Sequence, residues 1–326
     1  MQGKKVPERM TDPECSVGID VCKDWLDAHR LPAGNALRVA NSPDGIRKLK
    51  RWLRRHPASL VAVEATGKWH RALHRSLHAD GIRVAVIDPF RLRMFAKAHG
   101  ILAKTDTLDA RVLAMFAAMM NPAARPPAPQ ALQTLQELVR GRASAVADKT
   151  ALQNQRAAAE TPFLRRQLDR RIARLDKDID AIETEVERYI VDQPDLAWRQ
   201  RILLSVPGIG PIVAATLLAC LPEIGTIPAK QITALAGLAP VPDDSGERQG
   251  YRRIKGGRQI VRDILYLAAL SAAKCNNDLK AFYQRKLEEG KAKKLALVAV
   301  ARKLLLLASS LISDNRLWTL KSPKSA

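Results

Sequence analysis

A long stretch with almost no helix-breaking residues constrains this chain most. Between Gln130 and Asp192 there is one glycine, Gly141, and one proline, Pro162. The spacing of apolar residues there predicts two long amphipathic helices that fold back on each other near 160–162. Their narrow apolar stripes need a partner, which predicts a coiled-coil hairpin over 130–193 that assembles with other copies of the chain. The stripes contain Leu132, Leu135, Leu138 and Val139, then Leu168, Ile172, Leu175, Ile179, Ile182 and Val186.

The segment before the hairpin has a different pattern. The proline-rich residues 121–129 predict a linker, so residues 15–120 are expected to form a separate domain. Within it, apolar runs at 15–21, 25–29, 36–40, 59–64 and 82–87 predict strands, and helical patterns begin near residues 45, 69, 90 and 104. Strands alternating with helices after an initial meander predict an α/β layer fold with a mixed sheet. The polar residues 1–14 are expected to be disordered.

The segment after the hairpin predicts a mostly helical C-terminal domain over 194–315, followed by a polar tail at 316–326. Its first part contains Pro-Gly-Ile-Gly-Pro at 207–211 between two apolar runs. This pattern predicts a helix-hairpin-helix, in which the turn at Gly208 and Gly210 would bind a DNA phosphate without reading sequence. A plain helix–helix corner is the alternative.

The chain is strongly basic, with 54 Lys and Arg against 33 Asp and Glu, a net charge of +21 and a pI near 10.2. This imbalance predicts a polyanionic partner, and nucleic acid is the first candidate. A membrane is not expected, because Arg302 and Lys303 interrupt the best apolar run, 295–312, which therefore predicts a buried helix. The first ten residues lack the apolar core of a secretory signal, so we expect a cytoplasmic protein.

Four carboxylates occupy the positions that one fold would bring together. Asp20 and Glu64 end predicted strands, and Asp106 and Asp109 lie three apart on one helix face. In a ribonuclease-H-like sheet the first strand lies beside the fourth, and a late helix packs over both. Clustered carboxylates repel unless cations neutralise them, and Mg²⁺ suits oxygen ligands. Each acid alone also fits a turn, a strand end or a helix start, but the four together predict a magnesium site.

A serine in a basic, glycine-broken loop is the candidate nucleophile. Ser245 is followed by six basic residues and no acidic residue between positions 248 and 262, while Gly250, Gly256 and Gly257 would let the backbone approach a ligand. Ser-Gly is also an ordinary turn dipeptide, and Tyr251 is an alternative nucleophile. The six basic residues, which we expect to bind nucleic acid, are Arg248, Arg252, Arg253, Lys255, Arg258 and Arg262.

The histidines limit how this serine could be activated. All six precede residue 100, so Ser245 has no histidine base in its own domain and would need a metal, arginines or a carboxylate from elsewhere. His70, His74 and His78 stand at helical spacing, but no fourth zinc ligand is near them. We expect them to form a solvated or DNA-facing stripe.

The motifs occur in a characteristic order. They are Gly-Ile-Asp20, Val-Glu64-Ala-Thr-Gly, Lys-Thr-Asp106-Thr-Leu-Asp109-Ala, the coiled-coil region, Pro-Gly-Ile-Gly-Pro, and Gly-Leu-Ala-Pro followed by Ser245-Gly. Over about residues 15 to 312 the chain thereby resembles the DEDD-type transposases of the insertion-sequence one-hundred-and-ten family, relatives of the pilin-inversion recombinase.

The resemblance implies a specific biochemistry. The first domain would be RuvC-like, with Asp20, Glu64, Asp106 and Asp109 holding Mg²⁺, and Ser245 would attack a DNA phosphate to give a 5′-phosphoserine intermediate. A bridge RNA encoded by the element would pair with donor and target DNA. The protein would be associated with the bacterial nucleoid and act as a homo-oligomer, from dimer to tetramer.

Two other functions remain open at this stage. A hydrolytic RuvC-like junction nuclease would share the carboxylates but form no covalent intermediate. A non-enzymatic nucleic-acid-binding protein would need only the charge and the helix-hairpin-helix.

Overall fold

A computed structural model describes residues 15–65, 67–101, 106–241 and 252–319, with the side chains of Asp106 and Thr107 outside the description. The chain forms two compact units, one ending at Ala128 and the other beginning at Pro129.

The first unit is built on a five-stranded mixed sheet. Its strand order is β3-β2-β1-β4-β5, with β1, β2 and β3 antiparallel and β1, β4 and β5 parallel. The predicted mixed sheet is therefore confirmed, with the first strand in the centre beside the fourth. The strands are β1 Ser16–Val21, β2 Trp25–Leu31, β3 Ala36–Ala40, β4 Leu60–Glu64 and β5 Val84–Ile87.

Four helices cover the sheet: α1 Pro43–Arg55, α2 His70–Ala79, α3 Pro89–Ala98 and α4 Asp106–Met120. The side chain of Ser42 accepts a hydrogen bond from the amide of Gly45 at 3.2 Å, which satisfies the open first turn of α1. Helices α1 and α2 pack on one face of the sheet, and α3 and α4 pack on the other. Alternate residues of β1 point to the two faces, so the strand separates two apolar cores.

The proline-rich segment 121–128 belongs to the first unit. The amide of Arg125 donates to the carbonyl of Val84 on the edge strand β5 at 3.2 Å, and Nε2 of His74 lies 3.0 Å from the carbonyl of Arg125. Our sequence prediction treated this segment as a linker and placed His74 in a solvated or DNA-facing stripe. His74 is instead buried, because its ring holds this segment against the sheet.

The second unit begins with the antiparallel hairpin of α5 Gln130–Ala158 and α6 Pro162–Val191. Three ion pairs connect the two helices, at positions that rise by seven along α5 and fall by seven along α6. They are Arg142–Glu183 at 2.6 Å, Lys149–Asp176, and Arg156–Asp169 at 2.8 Å. A seven-residue step returns to the same side of a coiled coil, so the pairs form a ladder along one seam.

The base of the hairpin is part of the main core of the second unit. Leu135 and Val139 of α5 and Val186 and Ile190 of α6 are buried there with residues from the helices that follow. Nearer the tip, Leu152, Ala159 and Leu168 form a small cluster of their own. Five residues of the apolar stripes are thus buried within the chain, and the other five are half-buried. Assembly through the hairpin stays a prediction.

Six further helices and a short ribbon complete the unit. The helices are α7 Pro194–Leu204, α8 Pro211–Cys220, α9 Ala229–Leu235, α10 Gln259–Cys275, α11 Asn277–Glu288 and α12 Lys293–Ser313, and the ribbon pairs β6 Pro240–Val241 with β7 Arg253–Ile254. Within the described ranges, α12 alone is long and apolar enough to cross a membrane, yet half of its apolar window is buried inside the fold. Most of its buried residues belong to the main core, as expected from the sequence.

Candidate active site

Two of the predicted metal ligands lie on neighbouring strands. The parallel register pairs Ile19 of β1 with Val63 of β4, so the next residues, Asp20 and Glu64, stand side by side. Both are half-buried, and one carboxylate oxygen of Asp20 accepts the amide of Val21 at 3.0 Å. The strand positions predicted from the sequence therefore place these two acids at one edge of the sheet.

Helix α4 crosses the same face in close contact with β1. The hydroxyl of Ser16 donates to the carbonyl of Ala114 at 2.9 Å. At Gly18, an added Cβ would overlap the backbone of Ala110 and Ala114, so only glycine permits this approach. Helix and strand therefore pack backbone against backbone.

These contacts set the direction and height of the helix. The four residue steps from Ser16 to Asp20 along the strand span about 13 Å. The eight residue steps from Ala114 back to Asp106 along the helix span about 12 Å. The first turn of α4, which carries Asp106 and the half-buried Asp109, is therefore level with Asp20.

The described side chains alone do not form a metal-binding group. Among the residues that the structure describes, no group of three or more His, Cys, Asp or Glu side chains is close enough to hold a metal ion. The side chain of Asp106, the fourth predicted ligand, lies outside that description. Asp20, Glu64 and Asp109 nonetheless offer only oxygen atoms, a donor set that suits Mg²⁺ rather than a softer metal.

Sequence reasoning missed two polar residues on this face, Asp27 and His29. Asp27 is the register partner of Asp20 across β1 and β2, is buried, and forms an ion pair with Arg38 at 3.3 Å. His29 is opposite Gly18, and both burial and the nearby positive charge of Arg111 lower its pKa. The sequence could have indicated Asp27. In an antiparallel hairpin, residues equally distant from the turn face each other, and Asp20 and Asp27 are such a pair.

The candidate serine lies outside the described residues, as do Arg248 and Tyr251, but the base of its loop is defined. The register of the ribbon pairs Val241 with Arg253. Residues on paired strands lie about 5 Å apart, so the loop that contains Ser245 leaves and returns at nearly the same place.

A glycine pair holds the base of this loop. An added Cβ on Gly257 would overlap the backbone of Gly237, and one on Gly237 would overlap Gly256 and Arg262. Arg262 also donates to the carbonyl of Gly256 at 2.7 Å. Our sequence prediction assigned the freedom of Gly257 to ligand approach. In the structure it permits two segments of the same unit to touch.

The predicted basic residues divide into two groups. Arg252, Arg253 and Lys255 are exposed beside the ribbon. Arg258 instead forms a two-pronged ion pair with Glu223 at 2.6 and 2.7 Å, and also donates to the carbonyl of Cys220. Because its charge is matched inside the unit, we do not include Arg258 in the proposed nucleic-acid surface.

The turn between α7 and α8 is packed into the fold on one side. Gly208 has a φ of +103°, and an added Cβ would lie 2.6 Å from the Cα of Ala272 on α10. Asn276 donates to the carbonyl of Pro207 at 3.4 Å. Gly210 precedes α8, whose first turn has no side-chain cap. The conformation of Gly208 thus serves helix packing, and phosphate binding by this turn stays a prediction.

A basic stripe on α6 was also missed. Residues 162–177 contain two acidic residues, Asp169 and Asp176, and both belong to the ion-pair ladder with α5. The exposed basic residues on the outer side follow helical spacing of three and four, which places them on one face. They are Arg166, Arg170, Arg174 and Lys177.

Comparisons with known proteins identify the family. Residues 17–159 match the DEDD type of IS110 transposase, described as "Transposase", and residues 200–284 match the "Transposase IS116/IS110/IS902 family". The chain belongs to the IS110 family of DEDD transposases. It is therefore an enzyme that acts on DNA through strand cleavage and rejoining.

Individual relatives agree with this assignment. The chain is 26% identical over 313 residues to the pilin gene-inverting protein of Moraxella lacunata, covering 92% of this chain and 96% of that protein. It is 32% identical over 155 residues to the insertion element IS900 uncharacterized 42 kDa protein of Mycobacterium paratuberculosis, covering 45% of this chain and 38% of the relative. The first similarity thus extends over both units.

Proposed function

We propose that this transposase is a site-specific DNA recombinase whose sheet unit is RuvC-like and whose serine, Ser245, forms a covalent link to DNA. The observation that carries the proposal is the edge of the sheet in the first unit. There the β1–β4 register and the contact of α4 at Gly18 bring Asp20, Glu64 and the start of α4 to one level. Acids clustered in this way suit phosphodiester chemistry.

The acids would act as a metal-binding group. Asp20 and Glu64 would supply carboxylate oxygens from the strands, and Asp106 and Asp109 would supply them from the first turn of α4. Mg²⁺, when bound there, would neutralise the acids and withdraw charge from the scissile phosphate. The carboxylates would also hold the ion at one edge of the sheet, where DNA can reach it.

The serine would exchange one phosphate ester for another. The Ser245 hydroxyl would lose its proton to water, and its oxygen would bond to phosphorus. The bond from phosphorus to the 3′ oxygen breaks, and that oxygen leaves as a 3′-hydroxyl, so the DNA keeps a 5′-phosphoserine link. A 3′-hydroxyl from the exchanged strand then attacks the phosphorus and releases the serine, with no requirement for ATP.

The partners follow from the family and from the charge. Donor and target DNA would be the substrates, and a bridge RNA would pair with both. The exposed Arg252, Arg253 and Lys255, together with Arg248, would contact phosphates beside the serine loop. The pilin gene-inverting relative supports inversion or transposition of a defined element. We expect a dimer or tetramer in the cytoplasm, associated with the nucleoid.

A labelled DNA junction tests this proposal directly. The protein, Mg²⁺, co-purified RNA and the element's junction are incubated and separated on a denaturing gel. Wild type and Ser271→Ala, a control at an exposed serine of α10, should retain label on the protein, whereas Ser245→Ala should not. If the Ser245→Ala variant retains the label but Tyr251→Phe does not, the tyrosine is the nucleophile.

A hydrolytic nuclease is the second candidate, because the carboxylate edge alone would suffice for it. It predicts that Ser245→Ala still cuts the junction, with free ends and no label on any variant. A protein that only binds nucleic acid would instead tolerate Asp106→Asn without loss of any activity.

A further inference from the structure

A cavity at the end of the helical bundle combines aromatic walls with positive charge. It has a volume of about 630 Å³ and lies between α11, α12 and the segment that follows α12. This volume is typical of sites that bind a small molecule or one unit of a polymer. Its lining includes Leu279, Phe282, Arg285, Lys303, Arg316 and Trp318.

The floor of the cavity is rigid and apolar. Leu279 and Leu311 are almost completely buried in the main core of the unit, and Phe282 and Trp318 are half-buried against the same core. The amide of Trp318 also donates to the hydroxyl of Ser205 at 2.8 Å, which fixes the segment after α12. Two aromatic side chains are thus held in place with part of their surface open to the cavity.

The rim is positively charged. Lys303 Nζ lies 4.5 Å from the centre of the Phe282 ring, and Arg285 Cζ lies 5.3 Å from it. Arg316 adds a third cation, and Asp278 is the one acid among the lining residues that the structure describes. The cavity therefore attracts an anionic group beside an aromatic surface.

The cations differ in how firmly they are paired. Arg316 lies 3.2 Å from Asp314, and Arg285 lies 3.9 Å from Glu289. Lys303 is exposed and has no ion pair with an acid in the described part of the chain. Its ammonium group lies over the Phe282 ring, a weak interaction that an anionic ligand can replace. Lys303 is thus the cation most available to a ligand.

We propose that this cavity binds an unpaired nucleotide of single-stranded nucleic acid, with the base against Phe282 and Trp318 and the phosphate at Lys303 and Arg285. Aromatic surfaces stack with any base, and a basic rim follows the backbone. A base inside an intact duplex cannot enter. The inference rests on the proposed function only in that the enzyme handles nucleic acid, and it requires no cleavage.

Binding without Mg²⁺ tests the cavity separately from the chemistry. Fluorescence anisotropy would compare a labelled single strand, a blunt duplex and a duplex with one unpaired thymidine, with DNA and RNA strands tested in parallel. Wild type should prefer the single strand and the duplex with the unpaired base. Preference between the DNA and RNA strands would identify which nucleic acid supplies the nucleotide.

Two variants and a matched control decide the outcome. Phe282→Ala should weaken binding of the single strand roughly tenfold, the effect of losing one stacked base. Lys303→Glu should also weaken it, because the change replaces a cation at the phosphate with an anion. Lys294→Glu makes the same charge change at an exposed position of α12 outside the cavity and should have little effect. Because Lys303 is exposed, its variant should fold normally even if Phe282→Ala does not.

Either of two results would overturn the inference. One is an equal loss of single-strand and duplex binding in Lys303→Glu, which would indicate general charge attraction. Another is equally strong competition by a polyglutamate peptide, which would indicate an acidic protein ligand. A failure here would leave the phosphoserine assay unaffected, and a failure of that assay would leave this binding preference intact.

Discussion

In the sheet unit the candidate residues come from segments up to ninety positions apart, Asp20 to Asp109, and strand register with one helix contact brings them together. In the helical unit the candidate serine and the basic residues after it come from one continuous segment, 245–262, and the described residues define the base of the loop. The first arrangement depends on packing across the whole unit, whereas the second depends on a two-residue ribbon and a glycine pair. Substitutions should therefore disrupt the two sites in different ways.

Removing one acid should have the largest effect. Glu64→Gln keeps the shape of the side chain but removes its charge, so we expect DNA cleavage to fall on the order of a hundredfold or more. Mg²⁺ should raise the melting temperature of wild type but not of this variant, because binding to the folded state stabilises it. Asp24→Asn, at an exposed turn, is the control and should retain both responses. Full activity in Glu64→Gln would exclude the metal role.

Adding a side chain at Gly18 should damage the first unit next most strongly. Gly18→Ala places a methyl group against the backbone of α4, and overpacking of this kind costs about 1–3 kcal/mol of stability. The helix should also move away from Asp20, so cleavage should fall even where the protein is still folded. Gly141→Ala has free space around it on α5 and should instead stabilise by about 0.5–1 kcal/mol. Equal thermal unfolding of the two variants would contradict the close contact.

The helical unit should show a more local failure. Gly256 and Gly257 both have positive φ, at 67° and 70°, so alanine strains the backbone at either position. Only at Gly257 would the added Cβ also meet the backbone of Gly237. We expect Gly257→Ala to reduce covalent capture of DNA more than Gly256→Ala, while Mg²⁺ still stabilises both variants. Capture that falls equally in both would assign the effect to strain alone.

Mildly acidic pH should lower the stability of the sheet unit through its histidines. The helical unit has none, since all six histidines precede residue 100. Burial lowers the pKa of His74 below its usual 6.5, only partly opposed by the hydrogen bond to the Arg125 carbonyl, and the charge of His78 lowers it further. The unfolded chain then binds a proton that the folded chain does not. Stability is therefore complete above the unfolded pKa and decreases as the pH falls through it.

A pH series of thermal unfolding measures this effect, which should be the smallest of the four. The melting temperature of wild type should fall by a few degrees from neutral to mildly acidic pH, and His74→Gln should show a weaker dependence. His56→Gln, at a half-buried histidine outside this contact, is the control and should behave as wild type. A dependence that is unchanged in His74→Gln would show that another group is responsible.

Local patterns in the sequence were sufficient for much of the fold. The strands that carry Asp20 and Glu64 at or next to their last residue follow from runs of apolar residues. The hairpin follows from its apolar spacing and its lack of helix breakers. Both depend on neighbours within a few positions. The order of the strands needed an assumed fold, which the observed sheet matches in its arrangement.

Contacts between distant segments could not be predicted in this way. The pairing of Arg258 with Glu223 removes one arginine from the predicted surface, although nothing near Arg258 in the sequence indicates it. The proline-rich segment 121–129 has the composition of a linker, but backbone hydrogen bonding to an edge strand does not depend on composition. Gly237 and Gly257 are likewise ordinary until the fold places them together.

The seven-residue repeat of the ion-pair ladder means that the hairpin of α5 and α6, called the arm below, can be shortened or lengthened by whole heptads. Because each rung recurs after seven residues on both helices, deleting one heptad from each would shorten the arm by about 10 Å and leave the remaining rungs facing their partners. The base, buried in the main core, would keep its structure. Inserting or deleting matched heptads would thus change the length of the arm and leave the candidate site residues of both units unchanged.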